Sequence, residues 1–176
     1  MNNSRIRRAL ATAGTASLLV ASLTGCGMLD SIAGADTQRD DAGNVTESSE
    51  IDIFALQVGD CLSESGMTGD ETASAPVVPC SEPHPYEVYH EFELADGEFP
   101  GTEAIEPLGV DGCQTAFDGF VGLAWEESTL DYTWFEPTEQ SWNGSDDRLI
   151  QCIIVEVDAT GSSLVDVVGS LAGVAR

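Results

Sequence analysis

The chain contains no lysine, and six arginines face 31 aspartates and glutamates for a formal net charge of -25 at pH 7. Binding to nucleic acid through the phosphate backbone needs clustered Lys and Arg, so it is excluded as a main activity. Anionic lipid headgroups are poor partners for the same reason. There is no Gly-x-Ser-x-Gly elbow to present a serine nucleophile, no short Cys-x-x-Cys knuckle, and no internal repeat. No uncharged apolar run is long and unbroken enough for a good membrane span. What is present is an ordinary hydrophobic fraction, 42% of 176 residues, at a length that fits one folded domain.

The arginines are unevenly placed. Arg5, Arg7 and Arg8 precede an apolar stretch over residues 9–23, and no acid occurs before Asp30. A basic start, a short apolar segment and small residues after it mark residues 1–25 as an export signal. The stretch ends in Leu23-Thr24-Gly25-Cys26, which resembles the lipobox of bacterial lipoproteins, where the cysteine sulfur takes a diacylglyceryl group and the signal is cut just before it. The resemblance implies lipidation at Cys26 and a mature protein held on the extracytoplasmic face of the cell membrane by its acyl chains. Each buried methylene contributes ~0.8 kcal/mol, so two chains hold a protein where one does not. Arg7-Arg8 hints at twin-arginine export, with the general secretory route as the default. Cleavage removes three arginines and no acid, leaving residues 26–176 with three arginines against 31 acids, net -28.

After the lipidated Cys26, residues 27–50 are rich in Gly, Ser, Thr, Asp and Glu and poor in large apolar side chains. Such a composition does not offset backbone ordering entropy, so residues 26–50 are expected to form a flexible acidic tether. It would span roughly 25 to 30 Å root-mean-square, beyond the ~8 Å Debye length at physiological salt. Residues 51–176 form the expected domain. Strand signals lie at 54–58, 75–78, 86–94, 130–135, 148–157 and 164–168; the third alternates, with Tyr86, Val88, His90, Phe92 and Leu94 on one side. Over 102–123, Ile105, Leu108, Cys113, Ala116, Phe117, Phe120 and Val121 recur at helical spacing, and Gly122 ends the pattern. Asn143-Gly144 favours a tight turn. The fold class is therefore α+β: an antiparallel sheet of about five to seven strands with one main helix packed on one face.

With Cys26 assigned to lipid, Cys61, Cys80, Cys113 and Cys152 remain, an even number in an exported domain, where pairing is the default. The 18, 32 and 38 residues between successive cysteines do not favour a zinc site, and no metal or cofactor is expected. Of the three connectivities open to four cysteines, Cys61 with Cys80 and Cys113 with Cys152 is favoured. The first closes a hairpin between the opening strands and the second pins the helix to a central strand. Each is worth on the order of 3 to 4 kcal/mol by loop entropy.

Several of these residues recur in one pattern. Val58-Gly59-Asp60-Cys61, then Val78-Pro79-Cys80-Ser81-Glu82-Pro83-His84-Pro85-Tyr86-Glu87-Val88, then Cys113, then Pro137 through Ser141-Trp142 to Gly144, Arg148 and Cys152 resemble the septum formation domain of high-GC Gram-positive bacteria. The likeness covers nearly all of residues 56–173. Here Gly144 and Arg148 stand further apart than in the near-contiguous Gly-Asp-Arg of that family. The resemblance implies an extracytoplasmic, membrane-associated protein linked to division septum formation, without an established enzymatic activity.

The candidate binding residues are His84, Glu87, Trp142 and Arg148. Histidine as a residue type suits a general base or pH sensor, and His84 has Glu87 three residues on; the competing reading is a turn histidine bonded to backbone between two prolines. His90 is read as a part-buried strand histidine. Trp142 is either a core anchor or a stacking platform for a sugar ring, whereas Trp134 belongs to the core. Arg148, surrounded by carboxylates, fits a structural ion pair better than a ligand clamp. Adjacent acids such as Glu126-Glu127 and Asp146-Asp147 read as solvated faces. Two functional expectations follow. One is a noncatalytic, lipid-anchored envelope module that binds an envelope protein or cell-wall glycan. The other is an envelope hydrolase, which requires His84 and Glu87 to converge in a pocket with a nucleophile or water.

Overall fold

The computed structural model describes residues 37–64 and 73–176. The export signal, Cys26 and residues 26–36 of the expected tether lie outside the described residues. Six antiparallel strands form one sheet in the order β1-β3-β2-β4-β6-β5. They are β1 (Ser49–Asp52), β2 (Cys61–Leu62), β3 (Ser74–Val78), β4 (Tyr86–Glu93), β5 (Leu130–Phe135) and β6 (Leu149–Glu156). One main helix, α1 (Thr102–Val121), lies between β4 and β5 in sequence, and a short helix, α2 (Glu139–Gly144), precedes β6. The α+β expectation therefore holds. Among the described residues, no helix is long and apolar enough to cross a membrane.

The layout follows from β6, whose sequence LIQCIIVE buries six successive residues. A strand buried on both faces needs apolar side chains at odd and even positions alike. Ile150, Cys152 and Ile154 pack with Ile105, Cys113, Phe117 and Val121 of α1. Ile153 and Val155 join the second cluster, with Ile51, Ile53, Leu62, Ala75, Val77 and Val88. β6 is thus the shared wall of two apolar clusters, one roofed by α1 and the other closed by β1, β2 and β3.

The buried residues of α1 are Ile105, Gly109, Cys113, Phe117 and Val121, a single stripe at intervals of four. Leu108 was expected on it but is 48% exposed. The stripe runs through Gly109 instead, because the helix presses on aromatic rings of the sheet. A Cβ on Gly109 would come 2.6 Å from the Trp134 ring, and one on Gly112 would come 2.4 Å from the Phe92 ring. Gly122 closes the helix in the left-handed region, its N–H bonded to the Asp118 carbonyl.

Elsewhere local hydrogen bonding overrides pattern. Residues 54–58 are not a strand: Asp52 accepts from the Phe54 N–H and starts a 3-10 turn over Ile53–Ala55. The Gln57 N–H goes to the Asp60 carboxylate at 2.9 Å, so that backbone has no need of a sheet partner. Residues 164–168 form only single bridges, Val157 to Leu164 and His84 to Val167. Asn143-Gly144 ends α2 rather than forming a tight turn, because Thr138 and Ser141 make a reciprocal capping box that starts a helix. A bulge between Val88 and His90 shifts the register of β4. Tyr89 thereby joins the α1 cluster, and Phe92 packs against it, so the single alternation expected over 86–94 reverses phase midway.

Residues 37–50 also differ from expectation. Instead of a tether they fold onto the domain: Arg39 bridges to Val45, Val45 is buried, and β1 begins at Ser49. Arg39 supplies the reason. Its guanidinium grips the buried Asp60 in a two-point ion pair, Nη1 to Oδ1 at 2.5 Å and Nη2 to Oδ2 at 2.8 Å.

Candidate functional site

Cys61 and Glu87 are directly opposed across β2 and β4, so their side chains share a face. The disulfide Cys61–Cys80 ties that point to the end of β3, with Cα atoms 5.3 Å apart. His84, in the turn before β4, bridges its backbone to Val167, and this brings the chain after residue 165 over the same spot. Here the structure places His84 and Glu87, at 0% and 1% exposure. His84 Nδ1–H donates to the Glu82 carbonyl at 2.7 Å. The Glu87 carboxylate accepts from the Ser170 hydroxyl and from the Leu171 N–H, both at 2.6 Å. Burial pushes Glu87 above the usual carboxylate range, offset in part by those two donors and by the nearby His84.

The two candidate residues thus come together, but sealed. Ser170 bonds the acid rather than the imidazole, which is not the nucleophile-to-base relay of a hydrolase. The turn-histidine reading matches the backbone bond that His84 makes. His90 is half-buried and stacks on Phe92 with ring centroids 6.0 Å apart.

Trp142 and Arg148 meet elsewhere. Trp142 is 3% exposed, donates from Nε1 to the Gly97 carbonyl at 2.9 Å and packs edge-on to Phe99. It is a core anchor, with no open face for a sugar. The Arg148 guanidinium carbon stacks 3.8 Å above the Trp142 ring. Arg148 pairs with Asp96 at 3.3 Å and Asp146 at 3.1 Å, and Nη1 donates to the carbonyls of Trp142 and Asp147. Two carboxylates, two carbonyls and the Trp142 ring hold this cation within the chain, as a structural ion pair requires, although buried Nε makes no hydrogen bond beyond its ion pair with Asp96. It borders an open cleft of about 470 Å³ that also contains Phe54, Glu93, Asp96, Asp146 and Asp147. A second cleft, about 310 Å³, lies between α1 and the segment before β5, lined by Asp111, Gln114, Thr115, Asp118, Trp125 and Glu126. Neither is lined by His84 or Glu87.

The second disulfide, Cys113–Cys152, joins α1 to β6. Both pairings agree with expectation. Sequence reading missed Arg39, Asp60, Ser170 and Leu171. Arg39 carried a signal, as the only base in an acidic stretch; Asp60 stood inside the Gly-Asp-Cys motif; nothing local marked Ser170 and Leu171, which reach Glu87 from 83 and 84 residues away.

A family model described as septum formation matches residues 25–152 and 58–176 of the chain. Searches of the curated proteins and of the solved structures return no match.

Proposed function

We propose that this chain, which belongs to the septum formation family and has a role related to septum formation, acts there as a noncatalytic binding module. It is lipid-anchored at Cys26 on the extracytoplasmic face of the cell membrane and engages an envelope protein or a cell-wall glycan. The observation that carries this reading is the inward commitment of its candidate chemical groups. His84 and Glu87 are sealed within the chain and Arg148 is held by ion pairs and carbonyls of its own chain, while the two clefts described above are lined with carboxylates. A surface of that kind favours a cationic partner through charge complementarity.

The anchor is tested by fractionation: Cys26→Ser should release the protein from membranes and abolish incorporation of a palmitate analogue. Binding is tested by crosslinking and pull-down from membranes, comparing the native chain with Asp111→Asn, Asp118→Asn, Glu126→Gln combined. A partner captured by the native chain and lost on neutralisation supports the reading. The hydrolase alternative makes the opposite prediction. Cleavage of peptidoglycan by the purified protein, abolished by His84→Ala without unfolding, would overturn the noncatalytic assignment.

A further inference from the structure

The disulfide Cys61–Cys80 has a neighbour that the sequence spacing hides. One atom from each of Cys61 Sγ, Cys80 Sγ and the His84 ring nitrogens lies within 4.8 Å of the others. A tetrahedral zinc site holds sulfur at ~2.3 Å and imidazole nitrogen at ~2.0 Å, which sets its ligand atoms roughly 3.5 to 3.8 Å apart. The three donors are therefore within a side-chain rotation of that spacing, provided the sulfurs are not bonded to each other.

His84 supplies an independent observation. Because a carbonyl only accepts, the bond from Nδ1 to Glu82 fixes the proton on Nδ1 and leaves the lone pair on Nε2. Nε2 is buried with no hydrogen-bond partner. A ligating histidine characteristically gives its other N–H to a backbone carbonyl, which orients the ring and raises its basicity. His84 has that arrangement already, in a residue that is 0% exposed.

We propose that Cys61, Cys80 and His84 form a thiol-gated metal site, closed while the cysteines are a disulfide and opened by reduction to hold a thiophilic divalent cation such as Zn²⁺. The reductant is a dithiol. Its two thiols become a disulfide as two electrons and two protons pass to the Cys61–Cys80 bond, which breaks to give two thiols. Metal binding then releases those two protons to solvent, and a water completes the fourth position. Cys80 is partly exposed, giving the dithiol a sulfur to attack, whereas Cys113 and Cys152 are both buried. The gate should therefore open while Cys113–Cys152 stays closed.

The test uses the 176-residue chain carrying Cys26→Ser, so that no other thiol competes. It is reduced with a dithiol to the point where alkylation detects only Cys61 and Cys80, desalted without oxygen and titrated with Co²⁺. The expected result is one Co²⁺ per chain, with thiolate-to-cobalt charge-transfer absorption and tetrahedral ligand-field bands, displaced by Zn²⁺ and absent from the oxidised chain. His84→Ala should weaken binding by on the order of 100-fold, at the upper end of what even outer-shell losses cause. Three results overturn the proposal: a reduced chain that keeps its near-ultraviolet circular dichroism yet shows no charge transfer, equal affinity in His84→Ala, or a reduced chain that loses its fold.

Discussion

Glycine in α1 illustrates how one residue type carries opposite meanings within twenty residues. Gly109 and Gly112 have aromatic rings where a Cβ would stand, and Gly119 has open space. Gly109→Ala and Gly112→Ala should each cost about 1 to 3 kcal/mol through overpacking, despite the better helix propensity of alanine. Gly119→Ala should instead stabilise by about 0.4 to 1 kcal/mol, through the unfolded chain. Urea denaturation of the three variants checks the reversal of sign, which helix propensity alone does not produce. Tyr89 makes a second residue-scale case. Its hydroxyl donates to the Cys113 carbonyl at 2.7 Å, and burial pushes its phenol well above the ordinary value of 10.0. An acid whose folded pKa is raised gives stability that is whole below the unfolded pKa and is lost as pH rises above it. Stability should therefore fall above about pH 10. Tyr89→Phe should flatten that alkaline limb while lowering stability at pH 7 by about 1 kcal/mol for the lost hydrogen bond. Denaturation curves at a series of alkaline pH values read both effects.

The elements were legible where burial, rather than local hydrogen bonding, decides structure. The stripe of α1 and the continuous apolar run of β6 stood out because each buries a long contiguous face. Residues 54–58 did not, because Asp52 and Asp60 capture the backbone N–H groups of Phe54 and Gln57. The same competition builds α2. Thr138→Ala removes the acceptor for the Ser141 N–H at 3.0 Å and should cost about 1 kcal/mol. The helix is only six residues long, so its circular dichroism signal is small. Thermal unfolding, together with the fluorescence of Trp142, which α2 carries, gives the measurement. If α2 holds Arg148 in place, the emission of Trp142 should shift in step with the lost stability.

At the scale of the whole molecule, charge sets the problem that the ion pairs and disulfides answer. A net charge of -25 opposes compaction, and screening should relieve it. Raising ionic strength from about 0.01 to 0.15 M shortens the Debye length from about 30 to 8 Å and should raise Tm. Calorimetry at fixed pH checks this, and a fall in Tm would mean that the internal ion pairs outweigh the repulsion. One pair resists screening because it is buried: Arg39 with Asp60, whose side chains are 17% and 2% exposed. Arg39→Ala leaves Asp60 buried without its partner and should cost about 3 to 5 kcal/mol, far more than loss of a tether residue. Denaturant unfolding of that variant thus also tests whether the folded part begins upstream of residue 51.

What the sequence by itself determined was of two kinds: features that depend on composition and those that depend on long periodic burial. The acid excess, the even cysteine count, the α1 stripe, the β6 core strand and the family motifs were all readable without coordinates. The disulfide pairing was only favoured among three connectivities at that level; which elements lie side by side in the fold fixed it. Only the tertiary structure decided what the motif residues do. Asp60 is an anchor for Arg39, Gly59 a left-handed turn at φ +96°, and His84 a buried ring beside a disulfide. The Arg39–Asp60 pair and the bridge that seats His84 against Val167 join residues 21 and 83 positions apart. Such pairings leave no local periodicity, because the sheet order that creates them is fixed by burial of the whole chain.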